Sequence, residues 1–406
     1  MRATRLAVSP LRLPRRRRGA DFLEMDPSFE FLEKAGKGAV SFGIGQPDFS
    51  PPGEVLEALR TVGAEALKYT PPLGLPELRE ALAGYLSEKY GVDVKPSEVA
   101  VTPGATAAVF ASLVLLVRGR ARVVVQDPGF PMYDDVARFA GGRVVYAYSG
   151  IEESFEWSAE SIAGRLGEGG VAVLNFPNNP TGSLAPRGLL EELGGLAARK
   201  GFYVVSDEVY EDFVYEGSHE SVLQVPELRE RSVYVGSFSK TWGLAGLRLG
   251  YVVAPRRLVE RLEAVAVNVY GSPPSPAQLA ALRALDHGLG WFSGVLSEYR
   301  RRRDALLEEL SKVEGVELYR PRGAFYVYPR VRGLLKRLGV GSSRELAESL
   351  LQAGVVVLPG DAYSGRAGRE HVRLSYALPV ESIREGVRRI RAFVEEAACA
   401  RRKRGA

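Results

Sequence analysis

From about residue 98 to 255, short apolar runs rich in β-branched residues alternate with longer stretches of helical period. Val99–Thr102, Arg122–Gln126, Arg143–Ala147, Val171–Asn175, Phe202–Ser206, Ser232–Ser237 and Leu249–Ala254 are largely apolar along their length, not alternating. Runs of this kind predict strands buried on both faces. Between them, Thr106–Val117, Pro131–Ala140, Ser158–Leu166 and Arg187–Arg199 predict helices. The fold class implied is α/β, a mostly parallel sheet covered by helices. Pro276–Leu310 then reads as helix broken near Gly288–Gly290. Beyond it come strand-like Gly323–Tyr328, a helix near Arg344–Ala353, strand-like Val355–Leu358 and Val372–Tyr376, and a last helix from Glu381 to about Ala398. That section predicts a second, smaller α+β domain. No repeat of solenoid period is present.

Composition narrows the function classes. The 406 residues are 46% hydrophobic and 25% charged, ordinary for globular domains. The longest mainly apolar stretch, Ala107–Val117, is far short of the roughly 20 residues a spanning helix needs. A single cysteine, Cys399, rules out an intrachain disulfide and suits a reducing, cytoplasmic setting. The three histidines, His219, His287 and His371, are far apart in sequence, so no Cys/His metal site is expected. The net charge of +5 comes from the ends, since residues 1–20 hold seven arginines and no acid, and residues 401–406 hold four basic residues. The body between them is acidic, which argues against a nucleic-acid groove. Both tails, 1–20 (expected to be disordered) and 401–406, read as solvated termini, and Pro10 and Pro14 interrupt any amphipathic targeting helix in the first.

In open α/β sheets the ligand lies at the carboxyl ends of the strands, so the polar residues there carry the candidate chemistry. Only four asparagines occur, and three of them stand in Asn175-Phe176-Pro177-Asn178-Asn179-Pro180-Thr181-Gly182 at a strand end. Asn, Pro and Gly also make plain turns, but a chain that otherwise avoids Asn has little reason to spend three on one. Asp207 closes the run Phe202–Ser206, with Tyr210 three residues on. A carboxylate buried there needs a cationic or hydrogen-bonding partner, although a helix cap is the commoner role for an Asp after a strand. Lys240 follows the strand Ser232–Ser237 and is one of ten lysines against 44 arginines. Arginine cannot substitute where an amine must lose its proton to form an imine. Gly104-Ala105-Thr106 joins a strand to an apolar helix, where small residues let a phosphate reach backbone N–H groups.

One cofactor asks for this whole set. A Schiff base needs a lysine, a protonated pyridine nitrogen needs a carboxylate, and a phenolic oxygen needs Asn and Tyr donors. A phosphate needs a helix N-terminus, hydroxyls and an Arg. That cofactor is pyridoxal 5′-phosphate (PLP).

With these residues in place, the sequence resembles the class I/II aminotransferases, the fold-type-I PLP enzymes related to aspartate aminotransferase. The resemblance runs from about Phe42 to Tyr376. It is carried by Phe42-Gly43-Ile44-Gly45-Gln46-Pro47-Asp48-Phe49, Lys68-Tyr69-Thr70-Pro71-Pro72-Leu73-Gly74, Asp127-Pro128-Gly129-Phe130-Pro131 and the Asn175–Gly182 string. Ser206-Asp207-Glu208-Val209-Tyr210, Ser237-Phe238-Ser239-Lys240, Gly246-Leu247-Arg248-Leu249-Gly250 and Arg373-Leu374-Ser375-Tyr376 complete it. The resemblance implies that Lys240 holds PLP as a Schiff base and shuttles the substrate proton. It implies that Asp207 pairs with the pyridine nitrogen, and that Asn179 and Tyr210 donate to the phenolic oxygen. Phe130 would stack on the ring. Gly104, Ala105, Thr106, Ser237, Ser239 and Arg248 would hold the phosphate, with Tyr69 reaching it from the neighbouring subunit of a homodimer. Arg373 would grip the substrate α-carboxylate, aided by Gly45 and Asn179, and Tyr270 would enter the neighbour's site to read the side chain.

The resemblance further implies a large PLP domain over about 50–285 and a small domain made of 21–49 and 286–400. The reaction implied is amino transfer between an L-amino acid and a 2-oxo acid by a ping-pong mechanism. Dicarboxylate-specific members place a second cation near the substrate side chain, in some cases a lysine in the phosphate turn, where this chain has Thr106. A broader or more hydrophobic range is therefore expected. A PLP lyase or synthase of the same fold, of the C–S β-lyase type, would share Lys240, Asp207 and Arg373 and stays open at this level. A regulator using the fold as a sensor would need a helix-turn-helix domain, for which the residues ahead of the matched region are too few.

Overall fold

The computed structural model describes residues 27–405 apart from 187, so the basic stretch 1–20 lies outside the described residues. After a short strand β1 (Val40–Ser41), the chain lays down β2 (Val99–Thr102), β3 (Arg122–Asp127), β4 (Arg143–Tyr148), β5 (Val171–Asn175), β6 (Tyr203–Asp207), β7 (Ser232–Ser237) and β8 (Gly250–Val253). These seven, β2 to β8, form one sheet in the order β2-β8-β7-β6-β5-β3-β4. All neighbours are parallel except at β8, which runs antiparallel to both β2 and β7. The reversal has a simple cause. Parallel strands need a crossover of a dozen or more residues, usually a helix. The link from β7 to β8, residues 238–249, holds only one short 3₁₀ turn and doubles back.

Each strand predicted between residues 98 and 255 is present within a residue or two. Their fully buried valines, among them Val123, Val171, Val204, Val205, Val233, Val235 and Val252, are covered by helices on both faces. Helix Ala105–Leu116 is apolar nearly all round and buried, as expected of a helix under other helices. The helix expected over Ser158–Leu166 shortens to Ala159–Ala163. There, Gly164 and the Gly167–Gly170 stretch end it early.

A second set of short strands follows: β9 (Tyr326–Val327), β10 (Val355–Val356), β11 (Leu358–Pro359) and β12 (Val372–Ser375). β11, β12 and β9 form an antiparallel sheet, while β10 pairs in parallel with β1. Residues near 40 are thereby joined to those near 355. Helix Phe292–Ser311 packs on the last helix, Val380–Gly405. The latter runs past the expected end near Ala398, and Arg401 donates to the carbonyl of Lys336 at 2.7 Å. Among the described residues no helix is long and apolar enough to cross a membrane.

Candidate active site

The candidate residues gather at the carboxyl edge of the large sheet because β5, β6 and β7 end there in Asn175, Asp207 and Ser237. Asn175 pairs with Asp207 across the sheet, and Gly250 at the start of β8 pairs with both Ser237 and Thr102. The doubled-back link after β7 places Lys240 and Arg248 over this same edge.

Lys240 Nζ donates to the carbonyl oxygen of Gly45 at 2.6 Å and lies 5.4 Å from the Tyr210 ring centroid. Burial lowers its pKa to about 8, with repulsion from Arg373 and Arg248 adding to the effect and Asp207 opposing it. A sizeable fraction is thus neutral near pH 8, as an amine nucleophile or base requires.

Asp207 is buried, and desolvation pushes its pKa up to about 6 against the opposing hydrogen bond from Tyr133. The Tyr133 hydroxyl donates to Asp207 Oδ2 at 2.8 Å and the Val209 amide to Oδ1 at 3.3 Å. A carboxyl group held this way becomes a firm anion once a cation is placed beside it.

Arg373, on β12, is buried between two aromatic rings, its guanidinium 4.5 Å from the Tyr326 centroid and 4.8 Å from that of Tyr363. It donates to Asn179 Oδ1 at 3.2 Å and to the Gly43 carbonyl at 2.8 Å. The Gly43–Gly45 loop therefore touches both Arg373 and Lys240. Asp48, just beyond it, accepts from Arg302 at 2.7 Å and from the Tyr299 hydroxyl at 2.9 Å, which fastens the loop to helix Phe292–Ser311.

Helix Ala105–Leu116 starts at Gly104, whose φ of 85° favours glycine, and no side chain caps its first amides. A Cβ on Gly104 would lie 2.7 Å from Arg248 Nη2, and one on Gly250 would lie 2.5 Å from the Ala105 nitrogen. The two glycines thus keep a guanidinium and a helix N-terminus close together, a cradle suited to an anion. Ser237 and Ser239 share the adjoining turn, with the Ser239 amide donating to Ser237 Oγ at 3.0 Å. Thr106 is exposed in the first turn of the helix.

The three clustered asparagines divide their work. Asn175 Nδ2 donates to the Asp207 carbonyl at 2.9 Å and its Oδ1 accepts the Asn179 amide at 2.8 Å. Asn178 Oδ1 accepts from the Thr181 hydroxyl at 2.8 Å. These two shape the loop, and Asn179 alone reaches Arg373. Phe130 is half-buried, edge-to-face with Tyr133 at 5.8 Å. The Tyr210 hydroxyl lies 2.8 Å from that of Tyr326.

Tyr69 and Tyr270 stand apart from this buried group. Tyr69 is 94% exposed. Its segment is tied to that of Tyr270, with Ser275 Oγ donating to the Lys68 carbonyl at 2.8 Å and Thr70 Oγ1 to the Pro273 carbonyl at 3.4 Å. The two tyrosine segments lie side by side at the surface.

Behind the site, Glu208, Glu211 and His219 bring metal-type ligand atoms within 4.8 Å of one another. Their oxygens are already engaged by protein donors. Glu208 is bonded by Ser206, Val222 and His219, and Glu211 by Lys89, Tyr90 and Tyr234. This is a structural network; Asp212 extends it to the Thr241 hydroxyl, next to Lys240.

Tyr133, Tyr326 and Tyr363 touch the site without having been singled out from the sequence. A weak signal existed for Tyr133, three residues beyond Phe130 in a marked motif.

The chain as a whole is similar to known proteins. A family model described as aminotransferase class I and II matches residues 37–390. The chain is 35% identical to an aspartate aminotransferase of Sulfolobus acidocaldarius, covering 88% of this chain and 90% of the relative. It is 37% identical to an aspartate/prephenate aminotransferase of Thermus thermophilus over 88% and 91%. The solved aspartate aminotransferase from Thermus thermophilus with maleate superposes with a TM-score of 0.82 at 36% identity, covering 90% of this chain and 94% of that one.

Proposed function

The chain belongs to the class I and II aminotransferase family, and we propose that its transaminase reaction uses PLP on Lys240 in the manner of an aspartate aminotransferase. The observation that carries this reading is electrostatic. Lys240 feels Asp207, Arg373 and Arg248 at once, so amine, carboxylate, substrate fork and anion cradle surround one place. The residues present fit the cofactor. The Gly104–Gly250 cradle with Arg248, Ser237 and Ser239 suits its phosphate, Asp207 suits its ring nitrogen, and Asn179 and Tyr210 suit its phenolic oxygen.

Bound there, PLP supplies an electron sink for the pair left at the substrate Cα. Lys240 would carry the cofactor and, as a free amine, would move the proton to and from Cα. Asp207 holds the positive charge on the ring nitrogen. Phe130 packs on the ring. Arg373, fixed between Tyr326 and Tyr363, presents its planar fork to the α-carboxylate. Orienting the carboxylate selects which Cα bond can break.

The relatives are named for aspartate and for aspartate/prephenate. With Thr106 in the cradle turn, we read a donor range broader than aspartate, with Tyr270 helping to read the side chain. Tyr69 at 94% exposed, Leu67 at 78%, and Val267 and Val269 at 54% each suit a homodimer that buries this face and lends Tyr69 to the neighbouring site. We assign the large domain to 50–285 and the small one to 21–49 with 286–400, of which 21–26 lie outside the described residues, the small domain closing over substrate to exclude water. The lone exposed thiol, Cys399, accords with a cytoplasmic setting.

The test is the absorption spectrum of PLP-loaded protein on addition of L-glutamate without keto acid. Conversion to the pyridoxamine band, reversed by 2-oxoglutarate, is expected. Absence of a PLP band overturns the cofactor assignment. A band unmoved by any amino donor, with pyruvate and ammonia released from a serine or cysteine derivative, assigns a lyase instead.

A further inference from the structure

Tyr326 lies on the two-residue strand β9, 116 positions from Tyr210, yet its side chain meets several groups of the site. Its hydroxyl is 2.8 Å from that of Tyr210, and a Cβ on Gly45 would come within 2.5 Å of the same oxygen. Its ring underlies the Arg373 guanidinium at 4.5 Å. Both tyrosines are almost fully buried, so water is a poor substitute for either as a partner.

We propose that Tyr326 is a positioning residue for the cofactor, donating its hydroxyl proton to the Tyr210 oxygen so that Tyr210 becomes a stronger donor to the phenolic oxygen of PLP. This rests on the reading that Lys240 carries PLP. A phenol has one O–H to give and lone pairs to receive. When the Tyr210 hydrogen is turned to the cofactor, its oxygen is left facing the Tyr326 hydroxyl 2.8 Å away, which can only serve it as a donor. A hydrogen bond received by a donor polarises it and strengthens the bond it makes, most of all in a dry interior. Tyr326 belongs to the strand next to Arg373 on β12. The relay is therefore built between the part of the chain that grips the substrate carboxylate and the part that holds the cofactor.

The consequence is spectroscopic. A donor on the phenolic oxygen favours the cofactor–lysine adduct in its deprotonated form, so a stronger Tyr210 lowers the pH at which the absorption band titrates. The other groups facing this place are Asp207, Arg373 and Arg248 around Lys240, with Tyr133 and Tyr363 near the tyrosine pair. Tyr326→Phe replaces none of these residues and keeps the ring beneath Arg373.

The experiment is a pH titration of the PLP band in the full chain loaded with cofactor, for wild type, Tyr326→Phe, Tyr210→Phe and the double variant. The midpoint is expected to rise by about half a unit in Tyr326→Phe, and by more in Tyr210→Phe. The double variant is expected to match Tyr210→Phe alone, because Tyr326 acts only through Tyr210. A Tyr326→Phe midpoint equal to or below wild type overturns the relay. So does a double variant shifted beyond Tyr210→Phe, or a Tyr326→Phe protein that forms no band at all. Absence of the band from the wild type removes the PLP reading itself, a different result from a wild-type band whose titration Tyr326 does not affect.

Discussion

The Tyr133 hydroxyl donates to Asp207 Oδ2 at 2.8 Å across 74 positions of sequence, in a setting where both side chains are buried. Burial raises the Asp207 pKa to about 6, and this bond is the largest influence holding it down. Removing it by Tyr133→Phe leaves the carboxylate with one donor fewer, a loss of about 1.5–3 kcal/mol for a bond to a charged group. The expected result is a fall in kcat/KM of roughly ten- to a hundredfold, with the melting temperature changed by only a few degrees. Steady-state kinetics beside a thermal melt decide it. Wild-type kcat/KM would remove Tyr133 from the site.

Lys240 gives a pH dependence of definite sign. Its pKa falls to about 8 chiefly through burial. Only the neutral amine attacks an aldehyde, so the rate of PLP capture by cofactor-free protein should rise with pH up to about 8 and level off above it. An ordinary lysine, with its pKa near 10.4, would keep gaining about tenfold per pH unit through pH 9. Stopped-flow absorbance with PLP separates the two. The same sign applies to stability. The lysine is harder to charge folded than unfolded, so folding of the cofactor-free chain should gain as pH rises from about 8 toward 10.5, a gain absent in Lys240→Ala. Lys240→Ala should also abolish turnover.

The seven long strands were legible because each is an apolar run bounded by turn residues, and burial on both faces writes itself into composition. The reversal of β8 was not. Strand direction depends on whether a crossover fits between β7 and β8, not on the residues within β8. Of the two-residue strands, β1 gave no signal, while β9 lies inside the strand-like run Gly323–Tyr328, and β10 and the start of β11 lie inside Val355–Leu358. In the site, Lys240, Asp207 and Asn179 stood out as rare or charged residues just after strands. Tyr133 and Tyr326 did not, since the chain has 18 tyrosines and a buried tyrosine ordinarily fills core. Their significance lies in contacts with residues 74 and 116 positions away. Asn175 and Asn178 look the same as Asn179 in sequence, and only their hydrogen bonds tell loop-shaping from site-facing roles.

Arg373 sits between Tyr326 and Tyr363 and reaches Asn179 and Gly43 with separate nitrogens. Lysine keeps the charge but loses the planar fork and the stacking between rings. Arg373→Lys should therefore lower kcat/KM for amino acids by about a hundredfold. Decarboxylated amines, which have no α-carboxylate to grip, should be affected far less. Equal losses for both substrate types would mean that Arg373 supports the fold and does not read the carboxylate.

Tyr69 offers a test of shared sites that needs no structure of the assembly. Its side chain is 94% exposed, while Lys240 and Asp207 are enclosed in the same chain. If Tyr69 serves the neighbour's phosphate cradle, a Tyr69→Ala subunit damages the site built around its partner's Lys240, not its own. Lys240→Ala damages only its own site. A hybrid dimer of the two then contains one site with both defects and one with neither. Mixing the two inactive or impaired variants under conditions of subunit exchange should restore on the order of a quarter of wild-type activity, since half the dimers are hybrids with one intact site each. Chromatography with light scattering would show the dimer, and activity before and after exchange would show the restoration. If each chain completed its own site, every site in the mixture would keep one defect, and activity would never exceed the mean of the two variants.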